Sequence, residues 1–373
     1  MRVLHWAFPF TLGKGGQSVF IERMSLEFSR LGHVVGILTS ELTPSNTTKV
    51  NLHFENLVEV FQLPSKESPF GINSHTFSQF KYVFDQFAPD VIHIHNLESP
   101  MLIYLRSYLN MKSVRPKVII TVHDLSTLKW LRKLKEAKQL NSFFDSIVFP
   151  SKYIQKSFEP YELEDRPIFR TIYNGVPLNK NLESRAKNNP QLLFAADLQE
   201  HKGGILLLSA WEKVFREFPK VTLKIAGDGP TRKFLEHYSK SMQFKEQVMF
   251  SGWLTQEELN LEFASDCVLV IPSVVGEAFG LIGAEASMAG VPIIAHRIGA
   301  LTEIVVDNLT GMTVTQGDTF ELAAKIRELL LDEELRRTMG EAGQKRAIKN
   351  FELTESVKSY EDLFRSIVSQ RAV

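Results

Sequence analysis

Five consecutive apolar residues, Cys267-Val268-Leu269-Val270-Ile271, read as a strand buried on both faces. Such a strand belongs in a parallel sheet, which needs crossover helices to return the chain. The next helix-like segment, Leu281 to Ala289, is rich in small residues, and a polar, glycine-containing loop from Pro272 to Gly280 joins the two. A loop from the carboxyl end of a strand to the amino end of a helix gathers unpaired backbone N–H groups at the positive end of the helix dipole. It therefore suits an anion. Glu277 and Glu285 would bracket that anion. Carboxylates repel phosphate but accept hydrogen bonds from hydroxyls, so a sugar and a ribose joined through a diphosphate would satisfy both acids. Two solvated helix acids would give the same spacing, and the pair alone does not decide.

The rest of the chain repeats the strand, turn and helix texture. Val3–Phe8 reads as a strand, Gly13-Lys14-Gly15-Gly16 as a turn, Ser18 to Leu31 as an amphipathic helix ended by Gly32, and Val34–Thr39 as the next strand. Met1–Phe10 resembles a short apolar leader, but His5 interrupts it and it serves better as the first strand. The glycines do not follow the G-x-G-x-x-G order of a dinucleotide site, and Glu41 stands beyond Thr39 and Ser40, which disfavours a nicotinamide cofactor. Asp90–Asn96 and Val118–Asp124 read as strands ending in histidine. His95, Asn96, His123 and Asp124 either face a ligand at the strand ends or cap the following helices. These histidines show no metal-ligand spacing on one element, and no metal is expected.

Trp130 to Leu140 is basic and amphipathic, either a solvated helix face or a contact for an anionic membrane or acceptor. After the Tyr173–Pro177 turn the texture restarts with strands at Gln191–Ala195, Val221–Ala226 and Val248–Ser251. The expected division is therefore 1–175 and 176–354, with a carboxyl-terminal helix of about 355–373 rejoining the first part. The charge balance of about +4 over residues 1–175 is cancelled by about −4 over the remainder, which argues against nucleic acid as a partner. The one cysteine, Cys267, allows neither a disulfide framework nor a thiolate metal site. No stretch approaches the roughly 18 to 20 apolar residues of a membrane span. A cytoplasmic protein is expected, with any membrane contact peripheral and on the inner face of the plasma membrane.

The order Asn174-Gly175-Val176, Lys202-Gly203, Gly227-Asp228-Gly229-Pro230, Gly252-Trp253, Pro272-Ser273, Glu277-x-Phe279-Gly280-Leu281-x3-Glu285-Ala286-x2-Ala289-Gly290-x-Pro292, Glu303-Ile304-Val305 and Gly311 resembles glycosyltransferase family 4. The resemblance covers nearly the whole chain and is densest from 174 to 311. It implies an α/β protein of the GT-B fold, two Rossmann-like domains facing across a central cleft. It also implies a retaining, metal-independent hexosyltransferase that uses a nucleoside-diphosphate sugar and no cofactor. A UDP-sugar, UDP-glucose first, is the expected donor, and polysaccharide or glycolipid synthesis the expected setting.

By the same resemblance, Lys202 neutralises the diphosphate, Glu277 binds donor-sugar hydroxyls and His123 lies near the reacting sugar. Glu285 takes the ribose hydroxyls, and Ala278, Phe279, Gly280 and Leu281 supply the backbone that meets sugar and diphosphate. Gly15 and Gly16 match the loop that closes on the phosphates, and Trp253 and Leu254 match the segment beside the nucleobase. One position departs from the pattern: Asp197 precedes Leu198 where the family usually has arginine. A weakly active or inactive sugar-nucleotide-binding scaffold of a polysaccharide assembly system is the alternative that this acid motivates.

Overall fold

The structure is a computed structural model describing residues 1–7, 15–40, 52–54, 57–63, 74–95, 99–136, 139–158, 167–178 and 190–369. The chain divides into two compact units, Met1–Gly175 with Leu353–Val373, and Val176–Glu352.

In the first unit the described strands are β1 (Arg2–Trp6), β2 (Val34–Ser40), β3 (Leu52–Phe54), β4 (Val58–Leu63), β5 (Val91–Ile94), β6 (Lys117–Thr121), β7 (Ser146–Phe149) and β8 (Ile168–Thr171). They form one sheet in the order β3-β4-β2-β1-β5-β6-β7-β8. Only β3 is antiparallel to its neighbour. Both faces are covered, as a parallel sheet requires. Beneath one face the helix Ser74–Phe87 buries Phe80, Phe84 and Phe87, and Trp6 lies 4.8 Å from Phe80 between ring centroids. On the other face Phe28 of the helix Gly16–Arg30 stacks on Phe364 of the helix Leu353–Ser369, with centroids 5.4 Å apart. Each fully buried Phe or Leu contributes about 1.5–3 kcal/mol of transfer free energy, so that last helix is part of the core of this unit.

The second unit has β9 (Gln191–Ala195), β10 (Thr222–Ala226), β11 (Val248–Gly252), β12 (Cys267–Ile271), β13 (Ile293–His296) and β14 (Gly311–Val314), in the order β11-β10-β9-β12-β13-β14 and parallel throughout. All five residues of β12 are buried, as the apolar run predicts. The helices Gly204–Glu212 and Thr319–Leu331 share a core that includes Leu207, Leu208, Trp211, Leu322, Ile326 and Leu329.

Both sheets have a switch point, where successive connections begin to run outward in opposite directions. It lies between β1 and β5 in the first unit and between β9 and β12 in the second. Ligands of open α/β sheets bind beyond the carboxyl ends of the strands at such a point.

The basic stretch Trp130–Leu140 is not a single helix. Trp130 lies in the helix Leu125–Glu136, and Leu140 opens the short helix Leu140–Phe143. Leu128, Leu131 and Leu140 are all buried, so the apolar side of this stretch is spent on the first unit's own interior. Among the described residues no helix is long and apolar enough to cross a membrane.

Candidate functional site

In the second unit Lys202 and Glu277 come from the loops that follow β9 and β12, the two strands flanking the switch point. Lys202 Nζ donates to Glu277 Oε1 at 2.7 Å, with the lysine side chain 24% and the glutamate 13% exposed. The Ser273 hydroxyl donates to the same carboxylate oxygen at 2.8 Å. Both loops are tied down. His201 C=O accepts from Val274 N–H at 2.8 Å, Gln316 Nε2 donates to Val274 C=O at 2.8 Å, and Ala300 N–H donates to Glu277 C=O at 3.2 Å.

His296, at the end of β13, is buried and bonds through Nδ1 to Ser273 C=O at 2.9 Å. A carbonyl only accepts, so Nδ1 carries the proton and the buried Nε2 is a bare lone pair with no partner among the described residues. Burial pushes the imidazole pKa down, which keeps this neutral form in place. Ser273 and His296 are absent from the site residues expected from the sequence. The only sequence signal for them was Pro272-Ser273 inside the motif.

Two glycines set the backbone here. Gly203 has φ +76°, and a Cβ on it would lie 2.0 Å from Pro272 C=O, so only glycine lets the lysine loop approach β12 this closely. Gly280 precedes the helix Leu281–Met288 at φ +99°, where a Cβ would sit 2.9 Å from Leu301 and 3.4 Å from Glu277 Oε2. Gly280 C=O accepts from Gly283 and Ala284, while the N–H groups of Leu281 and Ile282 have no acceptor among the described residues. These are the free donors that the sequence places at a helix amino terminus. Phe279 beside them is buried, and its ring meets Phe351 edge-on at 5.5 Å. Ala278 and Leu281 are half-buried, and Glu285 is half-buried on the second turn of the helix.

Trp253 and Leu254 follow β11 on the same carboxyl edge, and Trp253 is 40% exposed. Asp197 is exposed, accepts from Gln199 Nε2 at 3.1 Å and makes no ion pair among the described residues. The neighbouring cation Arg232 is already engaged, with Asp228 at 3.3 Å and Glu236 at 2.8 Å.

In the first unit Gly15 is the N-cap of the helix Gly16–Arg30 with φ +79°, and nothing lies within 4 Å of where its Cβ would be. Lys14 and Asn96 lie outside the described residues. His123 follows β6 and belongs to a set of rings on one face of the sheet. His5 Nδ1 lies 3.0 Å from His95 Nε2, and His95 Nδ1 lies 3.0 Å from His123 Nε2. His93 Nε2 meets Thr121 Oγ1 at 2.7 Å, and Thr121 meets Tyr360 OH at 3.1 Å. Burial holds His5 down to about 3 and His123 down to about 4, and keeps His93 and His95 well below the usual imidazole range. One nitrogen each of His5, His93 and His95 falls within 4.8 Å of the others, although both His95 nitrogens are engaged by neighbouring rings. Asp124 acts as a helix cap, its carboxylate accepting from Thr127 N–H and Ser126 Oγ at 2.6 Å.

Two Rossmann-like units, each with its polar residues gathered at the carboxyl ends of parallel strands, define a protein of the GT-B class. Residues 14–180 match glycosyltransferase family 4, and residues 178–346 match glycosyl transferases group 1. An uncharacterized glycosyltransferase of Methanocaldococcus jannaschii is 31% identical over 252 residues, 66% of this chain and 68% of the relative. Sucrose-phosphate synthase from Thermosynechococcus elongatus superposes with a TM-score of 0.79 at 20% identity, over 99% of each chain. Anabaena HepE in complex with UDP-glucose gives 0.74 at 19% identity, over 98% of this chain and 99% of that one. The chain belongs to the group 1, family 4 glycosyltransferases and has their GT-B fold.

Proposed function

We propose that this glycosyltransferase moves a hexosyl group from a UDP-sugar, UDP-glucose first, to a hydroxyl acceptor in polysaccharide or glycolipid synthesis. The reaction keeps the anomeric configuration and uses no metal. The observation that carries the reading is the Lys202–Glu277 pair at the switch point of the second unit, beside the free amides of the helix Leu281–Met288. That HepE is a fold neighbour solved with UDP-glucose supports the choice of donor.

Before the donor arrives, Glu277 and Lys202 neutralise each other. An entering diphosphate competes for the ammonium, and Glu277 then accepts from sugar hydroxyls while Glu285 accepts from the ribose. As the glycosidic bond breaks, negative charge grows on the leaving diphosphate, where Lys202 and the helix N–H groups are worth most. The acceptor hydroxyl attacks from the leaving-group side, and its proton passes to the departing phosphate. Trp253 and Leu254 line the nucleobase. Gly15, Gly16 and His123 stand ready at the carboxyl edge of the first unit's sheet. The exposed cations Arg132 and Lys133 of the Trp130–Leu140 stretch form a peripheral contact with an anionic membrane surface.

Asp197 favours a second reading, a scaffold that binds sugar nucleotide without cleaving it. It places an unpaired acid where a second cation would assist the leaving group.

Thermal unfolding in the presence of nucleotides tests the proposal. UDP at a hundred times its Kd stabilises the folded state by about 2.7 kcal/mol, and GDP has a smaller effect. If no uridine or other nucleotide raises the melting temperature, the chain has no donor site and both readings fall. Release of UDP from UDP-glucose separates the enzyme from the scaffold.

A further inference from the structure

Three imidazoles of the first unit form a chain whose protons are not independent. Each neutral imidazole has one N–H and one lone pair. His95 spends both on imidazole nitrogens, at 3.0 Å on either side, so its two partners must be protonated in the same head-to-tail sense. Only two arrangements exist. In one, His5 Nδ1–H donates to His95 Nε2, His95 Nδ1–H donates to His123 Nε2, and His123 is left with its proton on Nδ1. In the other, every proton is reversed and His123 Nδ1 is a lone pair.

The far end of the chain decides between them. His5 Nε2 is buried and has no partner among the described residues. The first arrangement leaves a lone pair there, the second an N–H. A buried N–H without an acceptor is the rarer defect. His296 shows the milder one, since it must donate from Nδ1 to Ser273 C=O and its buried, unpartnered Nε2 is a lone pair. Trp211 buries an indole N–H without an acceptor among the described residues, but an indole has no other tautomer to adopt, whereas the His5 ring does. Phe28 and His93 crowd the His5 ring at 6.1 and 5.2 Å between centroids, and neither aromatic carbon nor His93 supplies an acceptor to its Nε2.

We propose that His5 and His95 are positioning residues that lock His123 in its Nδ1-protonated tautomer, so that the ring presents an N–H donor at the carboxyl edge of the first sheet. His123 is half-buried, and its Nδ1 bonds to no other described residue. An N–H there suits a ligand oxygen, such as a sugar hydroxyl or a phosphate oxygen, and rejects a ligand that offers only a donor. Naming the sugar as that ligand rests on the proposed function. The tautomer itself does not.

The test is a long-range proton–nitrogen NMR spectrum of the full chain with ¹⁵N-labelled histidine, His123 being assigned by its loss in His123→Asn. The wild type should show His123 Nδ1 pyrrole-like and Nε2 pyridine-like with no ligand added. In His95→Phe the signals should shift toward a mixture dominated by the opposite tautomer. His95→Gln should restore the wild-type pattern, because an amide can accept from His5 and donate to His123. A pyridine-like Nδ1 in the wild type overturns the proposal, as does an unchanged tautomer in folded His95→Phe. Should that variant not fold, the wild-type spectrum decides alone. Because no sugar nucleotide is present, a failure here is separate from a failure of the glycosyl-transfer reading, which the nucleotide melting experiment would reveal.

Discussion

Lys202 and Glu277, 75 residues apart in sequence, meet as an ion pair of 2.7 Å because β9 and β12 are neighbours in the sheet. The pair is partly exposed, so its own contribution to stability is modest. In the proposed reaction it holds the ammonium where the leaving group would be. Lys202→Ala should lower turnover with UDP-glucose by on the order of a hundredfold, the scale for losing one electrostatic stabiliser, with a melting temperature close to wild type. Wild-type turnover in that variant would remove Lys202 from the mechanism.

Gly203→Ala and Gly15→Ala should part company. Both glycines have positive φ, but alanine at 203 would put its Cβ 2.0 Å from Pro272 C=O, whereas at 15 nothing lies within 4 Å. The substitution at 15 costs about 1–3 kcal/mol of positive-φ backbone strain. At 203 the backbones must also separate, so a clearly larger loss in urea denaturation is expected. Equal losses would mean that the lysine loop can move away from β12 freely.

Among the described ion pairs of the second unit, Arg336 is the most buried cation. Its guanidinium makes two bonds to Asp266, at 2.7 and 3.0 Å, and caps the carbonyls of Leu329 and Leu330 at 2.7 and 3.2 Å. Arg336→Ala leaves a carboxylate and two carbonyls short of donors and should cost on the order of 3–5 kcal/mol. Chemical denaturation followed by Trp211 fluorescence would measure it. A loss below about 1 kcal/mol would place the pair with ordinary surface ion pairs.

Acid should destabilise the first unit before its carboxylates titrate. His5, His93 and His95 are held neutral by burial, with His5 down to about 3, whereas in the unfolded chain each titrates near about 6.5. The unfolded state therefore takes up protons first. The contribution is fully present above about pH 6.5 and is lost as pH falls toward the folded values, at about 1.4 kcal/mol per pH unit for each ring. Urea midpoints measured from neutral pH down to about pH 4.5 should fall steeply, and His5→Phe should flatten the slope. A midpoint independent of pH over that range contradicts the burial of these rings.

Reversing the charges of Arg132 and Lys133 should abolish sedimentation with anionic vesicles, each cation contributing about 1 kcal/mol near such a surface. Lys133 lies over the Trp130 ring at 4.8 Å, so the indole is held to its own helix. Binding should then disappear at high salt. Sedimentation that survives both changes would rule out this basic face as the contact.

Much of the architecture was legible because it is written locally. The apolar run of β12, the small-residue helix after it and the glycine turns of both units carry their own signals. The Ser74–Phe87 helix has a helical stripe in Phe80, Val83, Phe84 and Phe87, but Asn73, Ser74 and Thr76 are all favoured N-cap residues, so the sequence does not mark where it starts. The strand β3 has only three residues and gains its definition from pairing with β4. At the site, Lys202 and Glu277 each stood out, whereas their pairing depends on strand order. The histidine chain depends on register, with His5 opposite His93 across β1 and β5, and no spacing within one segment encodes it. His296 carries no local signal for the same reason, since its partner Ser273 is on another strand's loop.

The helix Leu353–Ser369 supplies Tyr360 to Thr121 and Glu361 to His33, both in the first unit. A ribosome making this chain delivers that helix after the whole second unit. The second unit can therefore close on itself while the first, though synthesised earlier, waits with the Phe28 side of its sheet uncovered. A chaperone bound during synthesis should protect residues 1–175, and a frameshift just beyond residue 352 should leave the second unit folded and the first one exposed to proteolysis.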